Sequence, residues 1–256
     1  MSTATSVIVA AYNAEATLQR AVRSALAQPD VTEVCIVDDC STDGTRSIAE
    51  RLCASDARVK VCAPGRNAGP SAARNLAIAQ TQAPWIAILD ADDYMLDGRL
   101  ETLHRHTGGA DFIADALLRV VGEGAPPPPA AALAPTPLTF TDFILGDLGA
   151  HTGPLDLGYL KPLFRRAFIA QHGLRYREDM RLGEDYELYA RALALGARFL
   201  TCAPAGYISV ERPGSLSKEH SEKDLMHLRD CDDGLVSIRP LTAEEQRAVR
   251  RHWNSV

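Results

Sequence analysis

Apolar residues are laid along this chain in two rhythms. Short apolar runs at Ser6–Ala11, Val34–Val37, Val59–Cys62 and Ile86–Leu89 read as strands, the last buried on both faces. Between them the apolar positions recur at helical spacing. Leu18, Ala21, Val22, Ala25 and Leu26 make one stripe, and Ile48, Ala49 and Leu52 make another within Thr45–Ala54. Pro70–Gln80 is an alanine-rich helix with proline in its first turn. Strands alternating with helices in this way predict right-handed βαβ units: an α/β fold with a mostly parallel, Rossmann-like sheet flanked by helices.

After Asp93 the rhythm loosens. Leu96–His106 reads as a helix and Asp111–Val121 as one strand. Gly122–Pro137, with consecutive prolines at Pro126–Pro129, reads as an extended, mobile surface loop. Helices are expected at Leu138–Leu148, at Arg165–His172 (closed by Gly173) and at Glu184–Leu195. Arg198–Cys202 and Gly206–Val210 read as strands, Arg212–His220 as a polar loop, and Lys223–Leu235 and Thr242–Trp253 as terminal helices.

Composition narrows the function. Of 256 residues, 46% are hydrophobic and 23% charged, the profile of a soluble globular protein. A net charge of −6 and the lack of a Lys/Arg-rich run give no case for nucleic acid. Val7–Ala11 is too short for a signal-peptide core or a membrane span, so a cytoplasmic location is expected. The cysteines show no C-x-x-C and read as reduced thiols.

Candidate chemistry collects where strands end. Ile86–Leu89 stops in Asp90, Asp92 and Asp93, and ligands of open α/β sheets bind beyond the carboxyl ends of the strands. A D-x-D there offers hard oxygen ligands suited to Mg²⁺ or Mn²⁺ carrying phosphates, whereas an acidic surface turn is the plain alternative. No G-x-G-x-x-G follows the first strand and no P-loop occurs, which removes the main support for dinucleotide and P-loop folds.

Four strand ends then fall in order: Ala10–Asn13, Val37–Thr45 with its Asp38-Asp39, Asn67–Asn75, and Leu89–Asp93. Together they resemble the nucleotide-sugar half of family-2 inverting glycosyltransferases of GT-A fold, and Gly183–Leu188 resembles that family's E-D catalytic motif. Phe112–Asp115, Gly158–Arg166 and Leu182–Tyr189 are also similar to succinoglycan-type exopolysaccharide glucosyltransferases. The resemblance implies a donor-binding half at 1–121, the proline-rich loop at 122–137, an acceptor and catalytic half at 138–220, and terminal helices at 221–256.

It also implies roles. A UDP-sugar, glucose as the best assignment, would be the donor. A glycan, lipid-linked in exopolysaccharide synthesis, would be the acceptor, with peripheral contact at the inner membrane face. Ala10, Ala11 and Tyr12 would border the uracil, and Asp38 or Asp39 would accept its imide N–H; their plain alternative is to start the turn before the next helix. Asn67, Gly69 and Ala91 belong to the donor site, Asp90 to the ribose and Asp92 to Mn²⁺ or Mg²⁺, with Asp93 beside them. Arg74 would lie near the base or diphosphate, or form an ion pair with a strand-end aspartate. Asp185 would be the base, tuned by Glu184; acidic residues are also common in a first helical turn. Arg212, Ser215 and Lys218 would contact the diphosphate and His220 the metal, if that loop closes on the donor. Glu187 and Arg191 read as a helix-surface pair.

Rival readings have weaker support. A D-x-D phosphatase expects Thr or Val soon after the second aspartate and a distant Lys; Asp93 and Tyr94 stand where the Thr or Val should be. A sugar nucleotidyltransferase expects a glycine-rich loop in place of Ala10–Asn13. A donor-binding protein without catalysis does not explain why both Asp92 and Asp185 are present.

Overall fold

The computed structural model describes residues 2–122, 124–129, 134–147, 157–211 and 221–255. In the first half, strands and helices alternate: β1 (Thr5–Ala11), α1 (Leu18–Leu26), β2 (Val31–Asp38), α2 (Thr45–Ser55), β3 (Val59–Cys62), α3 (Gly69–Ala79) and β4 (Trp85–Ile88). A two-residue strand β5 (Tyr94–Met95) and helix α4 (Arg99–His104) follow, then β6 (Phe112–Asp115) and β7 (Leu118–Val121). The second half comprises β8 (Thr136–Leu138), α5 (Phe140–Asp147), a 3-10 turn at Leu157–Tyr159, β9 (Leu163–Arg165), α6 (Arg166–His172), α7 (Glu184–Ala194), β10 (Phe199–Cys202), β11 (Tyr207–Glu211), α8 (Glu222–Leu235) and α9 (Ala243–Ser255).

The main sheet runs β3-β2-β1-β4-β9-β6-β10-β8, and β5-β11-β7 form a small second sheet. β3, β2, β1 and β4 are mutually parallel, so their carboxyl ends lie along one edge. Strand β9 runs antiparallel between β4 and β6, and β10 runs parallel to β6. The sheet is covered on both faces. Ile8, Cys35, Val37, Ile86 and Ile88 point into one apolar cluster, and Val7, Val9, Val34, Ile36 and Ala87 into the other. That two-sided burial explains why these strands are unbroken apolar runs.

Three expectations need correction. Asp111–Val121 is two strands in different sheets, because Asp115 turns its carboxylate inward onto the amides of Ala205, Gly206 and Tyr207, and the chain leaves the main sheet there. The stretch Gly122–Pro137 is not loop throughout: Thr136 and Pro137 open β8, which pairs antiparallel with β10. An edge strand tolerates Pro137, since it forms a ladder on one side only. Glu187 is not at the surface. It is buried, and its ion pair to Arg191 at 2.6 Å joins a helix flank to the Arg175 carbonyl, which Arg191 also reaches. Strands β5 and β9, of two and three residues, are too short for any periodicity to reveal.

Candidate active site

The site begins with how α3 is started. Gly69 takes φ +86, a left-handed conformation open to glycine, and Pro70 follows in the first turn. Asp39, at the end of β2, accepts the Ala68 and Gly69 amides at 2.9 and 2.7 Å with its two carboxylate oxygens. The Asn67 side chain donates back to the Asp39 carbonyl at 3.0 Å. Asp38 accepts the Ser41 amide at 3.2 Å. Asp39 therefore has a structural task whatever else it binds, and each oxygen keeps a second lone pair. Ala10 and Ala11 lie at the adjoining end of β1, followed by an exposed Tyr12.

Helix α3 carries Arg74 under the end of β4. Arg74 is buried, and its guanidinium forks: one nitrogen reaches Asp90 Oδ1 at 2.9 Å and the other reaches Glu184 Oε1 at 2.8 Å. Its plane also lies 5.3 Å from the Tyr176 ring centroid. On the other side Lys161 does the same. Its Nζ lies 3.0 Å from Asp90 Oδ2 and 2.6 Å from Asp185 Oδ2. Two buried cations thus join Asp90, just beyond β4, to the Glu184-Asp185 pair that opens α7. Gly183 makes that helix start possible. It has φ +75, and a side chain there would run into Leu228 of α8.

Electrostatics follow from the pairing. Burial opposes the charge on Asp90, yet Lys161 and Arg74 overcome it and hold its carboxyl well below the usual range. Burial likewise opposes the Lys161 ammonium, but Asp185 and Asp90 hold it protonated well above the ordinary lysine value. Asp93 is different. It turns inward, accepting the Tyr207 hydroxyl at 2.9 Å and the Val210 amide at 2.8 Å. Burial, then the charges of Asp90 and Asp92, push its carboxyl up to about 7. Asp92 is half-buried, and its carbonyl accepts from Arg20 at 2.9 Å.

The structure therefore gathers Asp90, Arg74, Glu184 and Asp185 into one cluster, with Asp38, Asp39, Ala91 and Asp92 on the neighbouring strand ends or the turn beyond them. Arg212, Ser215, Lys218 and His220 lie outside the described residues. Among the described residues no group of three or more His, Cys, Asp or Glu is placed to hold a metal by itself. Sequence reasoning passed over Lys161. The one available signal is a lone cation inside the apolar run Leu160–Phe164, and a lysine so buried needs a partner. It also passed over the pair beneath it: Arg99 and Asp115, both fully buried, meet at 2.7 Å, and Arg99 supports the Lys161 carbonyl at 2.7 Å.

Comparison with known proteins shows the family and the fold. The profile described as Glycosyl transferase family 2 matches residues 6–168. The chain is 44% identical over 253 residues to the succinoglycan biosynthesis protein ExoU of Rhizobium meliloti, covering 96% of this chain and 73% of that protein. It is 41% identical over 224 residues to ExoO of the same organism, covering 82% of this chain and 62% of that one. Among solved structures, S. aureus TarS in complex with UDP-GlcNAc superposes with a TM-score of 0.78 at 23% identity, over 98% of this chain and 72% of that one. The mannosyltransferase PcManGT of Pyrobaculum calidifontis, in complex with GDP-Man and Mn²⁺, gives 0.68 at 16% identity, over 98% of this chain and 69% of that one.

Proposed function

The chain belongs to glycosyl transferase family 2 and has a GT-A type fold, and from that premise we propose that it moves a hexose, glucose as the best assignment, from a UDP-sugar to a glycan acceptor with inversion at the anomeric carbon. The observation that carries this reading is the double bridge from Asp90 through Arg74 and Lys161 to Glu184 and Asp185. It joins the strand end expected to hold the nucleotide to the acidic pair expected to serve the acceptor. Two relatives carry the name of succinoglycan biosynthesis proteins, which supports a role in surface-polysaccharide synthesis.

In this reading Asp185 takes the proton of the acceptor hydroxyl as that oxygen attacks. Asp90 contacts the ribose, and Asp38 or Asp39 the uracil imide. Asp92 fits a divalent cation of the Mg²⁺ or Mn²⁺ kind. These ions bind through one or two carboxylates plus substrate phosphates, so a half-buried carboxylate at the strand end suffices without an all-protein cage. Asp93 is excluded from that role by its inward bonds to Tyr207 and Val210. When bound, the cation would neutralise the charge developing on the leaving diphosphate. Among the described residues no helix is long and apolar enough to cross a membrane. A lipid-linked acceptor would be met by peripheral contact.

The test is a screen of UDP-sugars, with Mn²⁺ or Mg²⁺, for thermal protection and for release of UDP in the presence of glycan acceptors. One UDP-sugar should both protect and turn over. Hydrolysis of phosphomonoesters without any response to UDP-sugars would overturn the reading.

A further inference from the structure

We propose that Lys161 is a positioning residue for transfer: its ammonium fixes the Asp185 carboxylate through Oδ2 and leaves Oδ1 as the oxygen that takes the acceptor's proton. This rests on the reading of Asp185 as the base. In that step the acceptor O–H bond breaks as its oxygen bonds the anomeric carbon, the proton passes to Asp185 Oδ1, and the anomeric carbon–oxygen bond to the diphosphate breaks, the nucleoside diphosphate leaving with its electron pair.

The placement of Lys161 is over-determined. The carbonyl of Leu160 accepts the Tyr189 hydroxyl at 3.0 Å, and the carbonyl of Lys161 itself accepts from Arg99 at 2.7 Å. Pro162 then fixes the next backbone torsion. Consecutive backbone units are thus held by buried side chains from α7 and α4, and the ammonium is delivered to Asp185 Oδ2 at 2.6 Å. Oδ1 has a weaker claim on it, a Tyr189 hydroxyl at 3.3 Å.

The other charged and titratable groups around Asp185 do not duplicate this. Arg74 is shared between Asp90 and Glu184 and acts on Asp185 only through space. Tyr176 and Tyr189 are kept as neutral phenols by burial and by the negative charge of Asp185. Glu184 is tied to Arg74. Among the described residues Lys161 is therefore the cation in direct contact with the proposed base.

The experiment measures transfer by Lys161→Met and Lys161→Arg, with Asp185→Asn in parallel and nucleotide binding followed by thermal shift. Losing a group that orients a reacting one should lower kcat roughly 10–100-fold in Lys161→Met. Because Lys161 also touches Asp90, the donor KM should rise, but by less than kcat falls. Lys161→Arg, which keeps a cation beside the carboxylate, should recover most of the lost kcat. Lys161→Met with wild-type kcat, or with its whole loss in the donor KM, would overturn the proposal by showing a purely structural ion pair. If Lys161→Met does not fold, Lys161→Arg decides: a folded, donor-binding arginine variant with no more transfer than Asp185→Asn refutes the role. An active Asp185→Asn would instead remove the reading of the base itself, whatever the lysine variants do.

Discussion

Glu184 is held by Arg74 at 2.8 Å across 110 residues of chain, so the acid beside the proposed base is already committed to a buried guanidinium. Its work is to anchor the start of α7 to α3. Glu184→Gln keeps an acceptor oxygen but loses the charge. It should cost about 1.5–3 kcal/mol of stability, the usual range for a hydrogen bond to a charged group. Transfer should fall less than tenfold, far short of the effect expected at Asp185. Thermal melts and initial rates decide it; a stable but inactive Glu184→Gln would exchange the two roles.

Asp93 predicts a pH dependence. Its carboxyl rises from 3.8 in an open chain to about 7 in the fold. Below the lower value both states are protonated and the group has no effect. Between the two values the unfolded chain releases the proton while the folded one keeps it, so this group destabilises the fold progressively as pH rises. Glu33 works oppositely. Burial resists its charge, but Lys60, Ser6 and the Gln82 and Ala83 amides hold it down to about 2 from 4.5, so its contribution is present above 4.5 and lost as pH falls. The melting temperature of Asp93→Asn minus that of the native chain, measured in chelator, should therefore increase from pH 4 to 7. A flat difference would show that Asp93 ionises normally.

The early strands, their alternation with helices and the acidic strand ends were legible because each rests on a local pattern. β1, β2 and β4 are buried on both faces and so are written as apolar runs, and α7 is opened and closed by glycines. What the sequence did not disclose depends on distant chain. Nothing near Lys161 announces that Asp90 and Asp185, 71 and 24 residues away, will be its partners. Asp115 does end a strand, but the amides it captures lie some ninety positions further on, out of reach of any local pattern. The structural task of Asp39 is likewise hidden from the sequence, since its amide donors belong to the start of α3.

Asp92 carries the metal prediction. Carboxylates at one strand end repel a diphosphate unless a cation intervenes. UDP should therefore raise the melting temperature with Mn²⁺ or Mg²⁺ and much less in excess chelator. Asp92→Asn should reduce the metal-dependent part more than Asp43→Asn does, because Asp43 is occupied with the Thr45 and Glu15 amides. Equal protection by UDP with and without metal would contradict the assignment.

The most direct measurement is sugar transfer by Asp185→Asn beside its binding of UDP-sugar and metal. The substitution keeps shape and an oxygen for Lys161 while removing the proton acceptor. Transfer should fall by roughly 10²–10⁴, the usual effect of a positioned general base, with donor affinity nearly unchanged. Transfer near the wild-type rate would contradict the account, and so would loss of donor binding in step with loss of transfer.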